Sequence, residues 1–66
     1  MNTEKLREAV KKSGLTPTQI AAQCNLSTMG WYNKLNGKSD FKLSEVEIVC
    51  KALKLSSKER NDIFLR

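Results

Sequence analysis

The residues of this chain that could do chemistry are hydrogen-bond donors and cations, not nucleophiles or acid–base pairs. Histidine is absent from the 66 residues, so the commonest general base is missing. No glycine-rich phosphate loop and no Gly-x-Ser-x-Gly elbow is present. Glu45 and Glu47 stand two apart in a helical stretch and point in different directions. That suits solvated residues and first-turn dipole partners, not an acid and its base. No enzymatic activity is expected. The two cysteines, Cys24 and Cys50, are not in a Cys-x-x-Cys pair, and without histidine a four-ligand zinc site cannot be assembled from them. No metal and no cofactor is expected. Both cysteines fall at apolar-face positions, so they read as buried thiols acting as small hydrophobes, with no bridge between them.

Recognition chemistry is better supplied. Thr16-Pro17-Thr18-Gln19 reads as a helix start, and free N–H groups at such an end seat phosphate. Thr18 and Gln19 place a hydroxyl and an amide beside it. The formal charge is +5 and the pI about 9.5, which fits an anionic partner. No acidic residue lies between Glu8 and Asp40, whereas Lys11, Lys12, Lys34 and Lys38 do. From Leu43 to Arg66 the signs are nearly balanced, with Lys51, Lys54, Lys58, Arg60 and Arg66 against Glu45, Glu47, Glu59 and Asp62. Positive potential is thus concentrated on one part of the chain.

The elements that must position these groups are two short helices meeting at a tight corner between Leu15 and Gly37. Thr16 caps the first, Pro17 suits its first turn and Gln19 completes a capping box. Ile20, Ala21 and Cys24 then share one face, with Ala21 small enough for a close helix crossing. Ala22 and Gln23 face outward. Asn25 tolerates the left-handed conformation that ends a helix, and Leu26 plugs the corner from inside. Ser27 caps the second helix, whose buried face carries Trp31 and Leu35, and Gly37 stops it. This is the pattern of a helix-turn-helix.

On Thr16-Pro-Thr-Gln-Ile-Ala, Asn25-Leu-Ser and Tyr32-Asn-Lys-Leu-Asn-Gly-Lys-Ser-Asp-Phe, the chain resembles the small phage Cro and repressor regulators of the lambda-repressor fold class, particularly the short type of Gram-positive phages and prophages. The resemblance covers nearly the whole chain. It implies an all-α, five-helix fold and a sequence-specific transcriptional regulator that binds operator DNA as a homodimer, in the cytoplasm of a bacterial host, at the nucleoid. By matched position it implies that Thr28, Met29, Tyr32 and Asn33 read bases. Asn33 can pair with adenine, Thr28 can bond a base or meet a thymine methyl, and Met29 offers apolar contact only. Tyr32 either reaches phosphate through its hydroxyl or sits half-buried beside Trp31. Thr18, Gln19, Lys34, Asn36, Lys38, Ser39 and Lys42 are the implied phosphate contacts. Pro17 replaces a residue that many relatives have as a donating Gln. Lys34 stands where many relatives are apolar, which points to a buried face rotated toward Trp31 and Leu35. Gly30 either permits close approach of the backbone to DNA or makes room for Trp31. The alternative function is a protein-binding modulator or antirepressor acting through a partner repressor, because Pro17, Met29 and Gly30 lack polar side chains.

The remaining sequence reads as one domain over 1–66, with helices near 3–13, 17–24, 28–36, 43–53 and 57–65 and no strand. Asn2 or Thr3 caps the first helix, Leu6 and Val10 form its core face, and Gly14 ends it. Phe41 is expected to dock on the core and pin the loop before the fourth helix. Leu43, Val46, Val49, Cys50 and Leu53 follow helical spacing, and this helix is expected at the centre of the core. Ile48 falls off that stripe and is either exposed or set against a second subunit. Ser56 and Glu59 form a capping box, with Ser57 as an alternative cap. Ile63-Phe64-Leu65 cannot all face one core, so at least one is left over for a dimer seam or a fraying end. No apolar run approaches the ~20 residues of a membrane span, and no membrane partner is expected.

Overall fold

Three of the five helices end in the same hydrogen-bonded turn, and that repeated device shapes the fold. The computed structural model describes residues 1–65. Its helices are α1 Thr3–Ser13, α2 Pro17–Gln23, α3 Thr28–Leu35, α4 Leu43–Ala52 and α5 Ser57–Phe64, with no strand among the described residues. After α2, the Asn25 and Leu26 N–H groups donate to the Ala22 and Ala21 carbonyls at 3.1 and 2.8 Å. After α3, Gly37 and Lys38 donate to Lys34 and Asn33 at 3.1 and 2.8 Å. After α4, Lys54 and Leu55 donate to Lys51 and Cys50 at 3.3 and 2.9 Å. Each is a Schellman turn, which requires one residue in the left-handed region. Asn25, Gly37 and Lys54 supply it, with φ of 57°, 81° and 55°. Lys54 is the unexpected member, since lysine carries a Cβ that disfavours this conformation.

Side-chain caps set the other ends. Asn2 accepts from the Lys5 N–H, Ser27 from Gly30 and Ser56 from Glu59. The box around Thr16 is complete: its N–H donates to Gln19 Oε1 at 2.9 Å and its Oγ1 accepts from the Gln19 N–H at 3.1 Å. A Cβ on Gly30 would lie 3.2 Å from Ser27 Oγ. The glycine therefore leaves room for the cap hydroxyl that holds its own N–H.

Each of the first four helices gives one fully buried large side chain to the centre: Leu6, Ile20, Trp31 and Val49. Ile63 of α5 closes the core, and Ala21, Cys24, Leu35 and Leu53 complete it. The centre is thus shared among the helices and is not the property of α4. Trp31 takes the largest share. Burying ~200 Å² of indole is worth about 5 kcal/mol, which outweighs the ~1–3 kcal/mol cost of its Nε1–H, left without a hydrogen-bond partner among the described residues. Phe41 packs edge-on against Trp31 and Phe64, with centroids 5.8 and 5.4 Å apart, and so pins the loop between α3 and α4. The Asn2 N–H donates to the Ile63 carbonyl at 2.7 Å, tying the start of the chain to α5.

Three expectations for α4 change. Leu43 is 76% exposed, because it opens α4 on the side away from the core. Ile48 is half-buried and packs on the core of its own chain. Glu45 is not solvated but 8% exposed, drawn inward by partners on α3 and at the start of α4. Of Ile63-Phe64-Leu65, the first is buried, the second packs partly on the core and Leu65 is left over.

Candidate nucleic-acid interface

The side chains offered to a partner follow from which face of α3 the core takes. Trp31 and Leu35 are buried, one turn apart. The side turned away from them presents Met29, Tyr32 and Asn36, and Thr28, in the first turn, is exposed as well. Met29 is 70% exposed and Tyr32 42%, so Tyr32 is not sequestered beside Trp31. Asn33 is half-buried, on the flank of this face. Its carbonyl accepts from the Lys38 and Ser39 N–H groups at 2.8 and 3.3 Å, which folds the following loop back under the helix end. The side chains of Lys38 and Ser39 stay exposed, as does Lys42 at the cap of α4.

The start of α2 offers less than the sequence suggested. Pro17 has no N–H, the Gln19 N–H is taken by Thr16 Oγ1 and the Ile20 N–H by the Thr16 carbonyl. The Thr18 N–H is the donor left in that first turn among the described residues. Gln19 spends its carbonyl oxygen on the Thr16 N–H, so its NH2 group is what remains to donate. Both side chains are exposed.

Lys34 is a correction. Its ammonium lies 2.9 Å from Glu45 Oε1, with the two side chains only 12% and 10% exposed. It also donates to the Asp40 carbonyl at 2.8 Å and sits 5.9 Å from the centre of the Phe41 ring. The cation is therefore a tie between α3, the loop and α4, and its charge is matched locally instead of being offered to phosphate. Glu45 completes the tie by accepting from the Lys42 N–H at 2.8 Å. That N–H, followed by the Lys34 ammonium, holds the carboxyl below its ordinary range despite burial. Burial pushes the thiols of Cys24 and Cys50 up, and the Glu45 charge adds to this at Cys24. Raised thiols are poor nucleophiles. Among the described residues no cluster of three or more His, Cys, Asp or Glu is placed to hold a metal ion.

One residue of this surface went unforeseen. Arg7 of α1 reaches across to α3, and its Nη2 donates to Asn36 Oδ1. The two are 29 positions apart, and nothing in the pattern of α1 distinguishes Arg7 from any other solvated cation. Only the packing of α1 against α3 brings them together.

The corner between α2 and α3, closed by the Asn25 turn and plugged by Leu26, is accompanied by a direct match. A family model described as a helix-turn-helix domain covers residues 3–63. The chain belongs to that family. The helix-turn-helix domain implies DNA as partner and a regulatory role. No curated protein and no solved structure matches the chain. No helix of this domain, among the described residues, is long and apolar enough to cross a membrane.

Proposed function

We propose that the protein is a non-enzymatic, sequence-specific transcriptional regulator of the phage Cro or repressor type, reading operator DNA in the major groove with α3. The observation that carries the reading is the exposed face of α3. It presents Thr28, Met29 and Tyr32 outward, beside Lys38 and within a stretch that holds no carboxylate from Ala9 to Ser39. Base edges are met by Thr28, Met29 and Asn33, with Tyr32 on the rim. Phosphates are met by Thr18, Gln19, Asn36, Lys38, Ser39 and Lys42. Phosphate contacts set register, and base contacts set sequence.

The domain acts as a homodimer, with its two α3 helices about 34 Å apart on successive turns of the groove. Ile48 packs on its own core, so on α4 and at the end of α5 the large apolar residues left exposed for a second copy are Leu43 and Leu65, the latter 60% exposed. They flank one shallow groove with Val46 and Phe64.

Operator selection followed by gel shift of the purified protein tests the reading. Asn33→Ala is expected to weaken operator binding more than non-specific binding. Lys38→Ala is expected to weaken both and lower the salt slope by about one unit. An unchanged specificity ratio in Asn33→Ala would remove that residue from base reading. Weak, strongly salt-sensitive binding to every sequence, sharpened only by an added repressor, would instead identify an antirepressor.

A further inference from the structure

We propose that Arg7 and Asn36 form a phosphate clamp at the C-terminal end of α3, with the charge supplied by α1. The inference rests on the DNA-binding reading and deepens it. Among the described residues the ion pairs are Lys5–Asp62 and Lys34–Glu45. Arg7 has neither Glu4 nor Glu8, its acidic neighbours on α1, within salt-bridge distance, and its side-chain partner is the neutral Asn36. Its charge is thus held in place without being cancelled. A guanidinium carries five N–H donors and a carboxamide two. One guanidinium donor is spent on Asn36 Oδ1, and the remaining donors of both exposed side chains have no hydrogen-bond or ion-pair partner among the described residues. A phosphate diester suits such a planar array of donors.

The position argues the same way. A helix C-terminus carries partial negative charge and repels anions. At α3 the Lys34 and Asn33 carbonyls are already bonded by the Gly37 and Lys38 N–H groups, and the Arg7 cation offsets the remaining field. Asn36 is the cap residue of α3, and exposed Lys38 follows two residues later. Arg7 therefore extends the basic rim of the reading helix with a group from a different element. If Arg7 served only as a counter-charge for the helix end, its loss would lower stability and leave the salt dependence of DNA binding alone.

The experiment measures affinity for a short duplex of arbitrary sequence between 50 and 200 mM salt, for the full chain and the variants Arg7→Ala, Arg7→Lys, Lys38→Ala and Lys51→Ala. Thermal melts confirm that each is folded at the assay temperature. One lost phosphate contact lowers the salt slope by about 0.9, so Arg7→Ala should bind weaker by a factor that shrinks about 3.5-fold across this range. Arg7→Lys should keep the slope and bind weaker than wild type. Lys51→Ala, on exposed α4 surface, should leave the slope unchanged. A wild-type slope in Arg7→Ala beside a lowered slope in Lys38→Ala would overturn the clamp and leave the DNA reading standing. Equal losses in Arg7→Ala and Lys51→Ala would overturn it in favour of diffuse charge. No measurable binding by the wild-type chain, alone or with a repressor, would remove the DNA reading itself.

Discussion

Replacing Lys34 by methionine removes one charge from an almost buried pair and leaves the other behind. Methionine keeps much of the side-chain stem, so packing is nearly conserved and the loss is chiefly electrostatic. Breaking a buried ion pair from one side costs about 3–5 kcal/mol. Here both side chains keep about a tenth of their surface in solvent, and Glu45 retains the Lys42 N–H. These features place the expected loss at about 2–3 kcal/mol. A domain of 66 residues holds only about 3–10 kcal/mol in total, so the melting temperature should fall by roughly 8–24 °C. Trp31, the sole tryptophan and fully buried, reports unfolding by fluorescence in urea. Lys34→Met with Glu45→Leu should recover most of the loss, because no charge is then stranded. Its residual deficit is about 1 kcal/mol for the Lys42 N–H left without an acceptor. DNA affinity of folded Lys34→Met should keep the wild-type salt slope, unlike Lys38→Ala. A loss below about 0.5 kcal/mol, the level of an exposed pair, would refute the burial argument. A slope lowered by one unit would return the ammonium to the phosphate backbone.

Acid should act through the same carboxyl. Its folded pKa lies below the unfolded value near 4.5, so its contribution is full above that value and lost as pH falls through the folded one. The stability gap between wild type and Glu45→Gln should therefore shrink below about pH 4.5 in urea titrations. Lys54→Gly should raise stability by up to about 1 kcal/mol, because the exposed lysine at φ 55° makes no side-chain bond among the described residues; a loss on melting would mean that the unfolded-state entropy of glycine dominates. Gly37→Ala should cost about 1–2 kcal/mol. Its Cβ would stand 4.0 Å from Thr3 Cγ2, so the cost is backbone strain at φ 81° and not a clash. Folded Cys24 should resist a thiol reagent at neutral pH until the chain is unfolded, since its thiol is buried and its pKa raised.

What the sequence determined by itself was everything set by neighbours along the chain. Caps at Thr16, Ser27 and Ser56, the left-handed ends at Asn25 and Gly37, and the helical spacing of Ile20, Trp31 and Val49 are local matters. Hydrogen bonds three or four residues away and side-chain periodicity decide them. The helix-turn-helix was legible for that reason. Lys54 escaped notice because lysine carries no turn signature, and its conformation belongs to a turn whose neighbours Leu53 and Leu55 pack into and against the core.

Tertiary structure decided which polar groups stay free. Lys34 stood out as a cation where relatives are apolar, yet counted among the phosphate contacts until α4 placed Glu45 against it. Leu43 obeyed the helical spacing yet stands in solvent, because a helix buries only the turns that another helix covers. Arg7 and Asn36 meet only because α1 packs on α3. The physical reason is range: capping and periodicity act over one helical turn, whereas a charge is neutralised or left exposed by whatever the fold brings within about 4 Å of it.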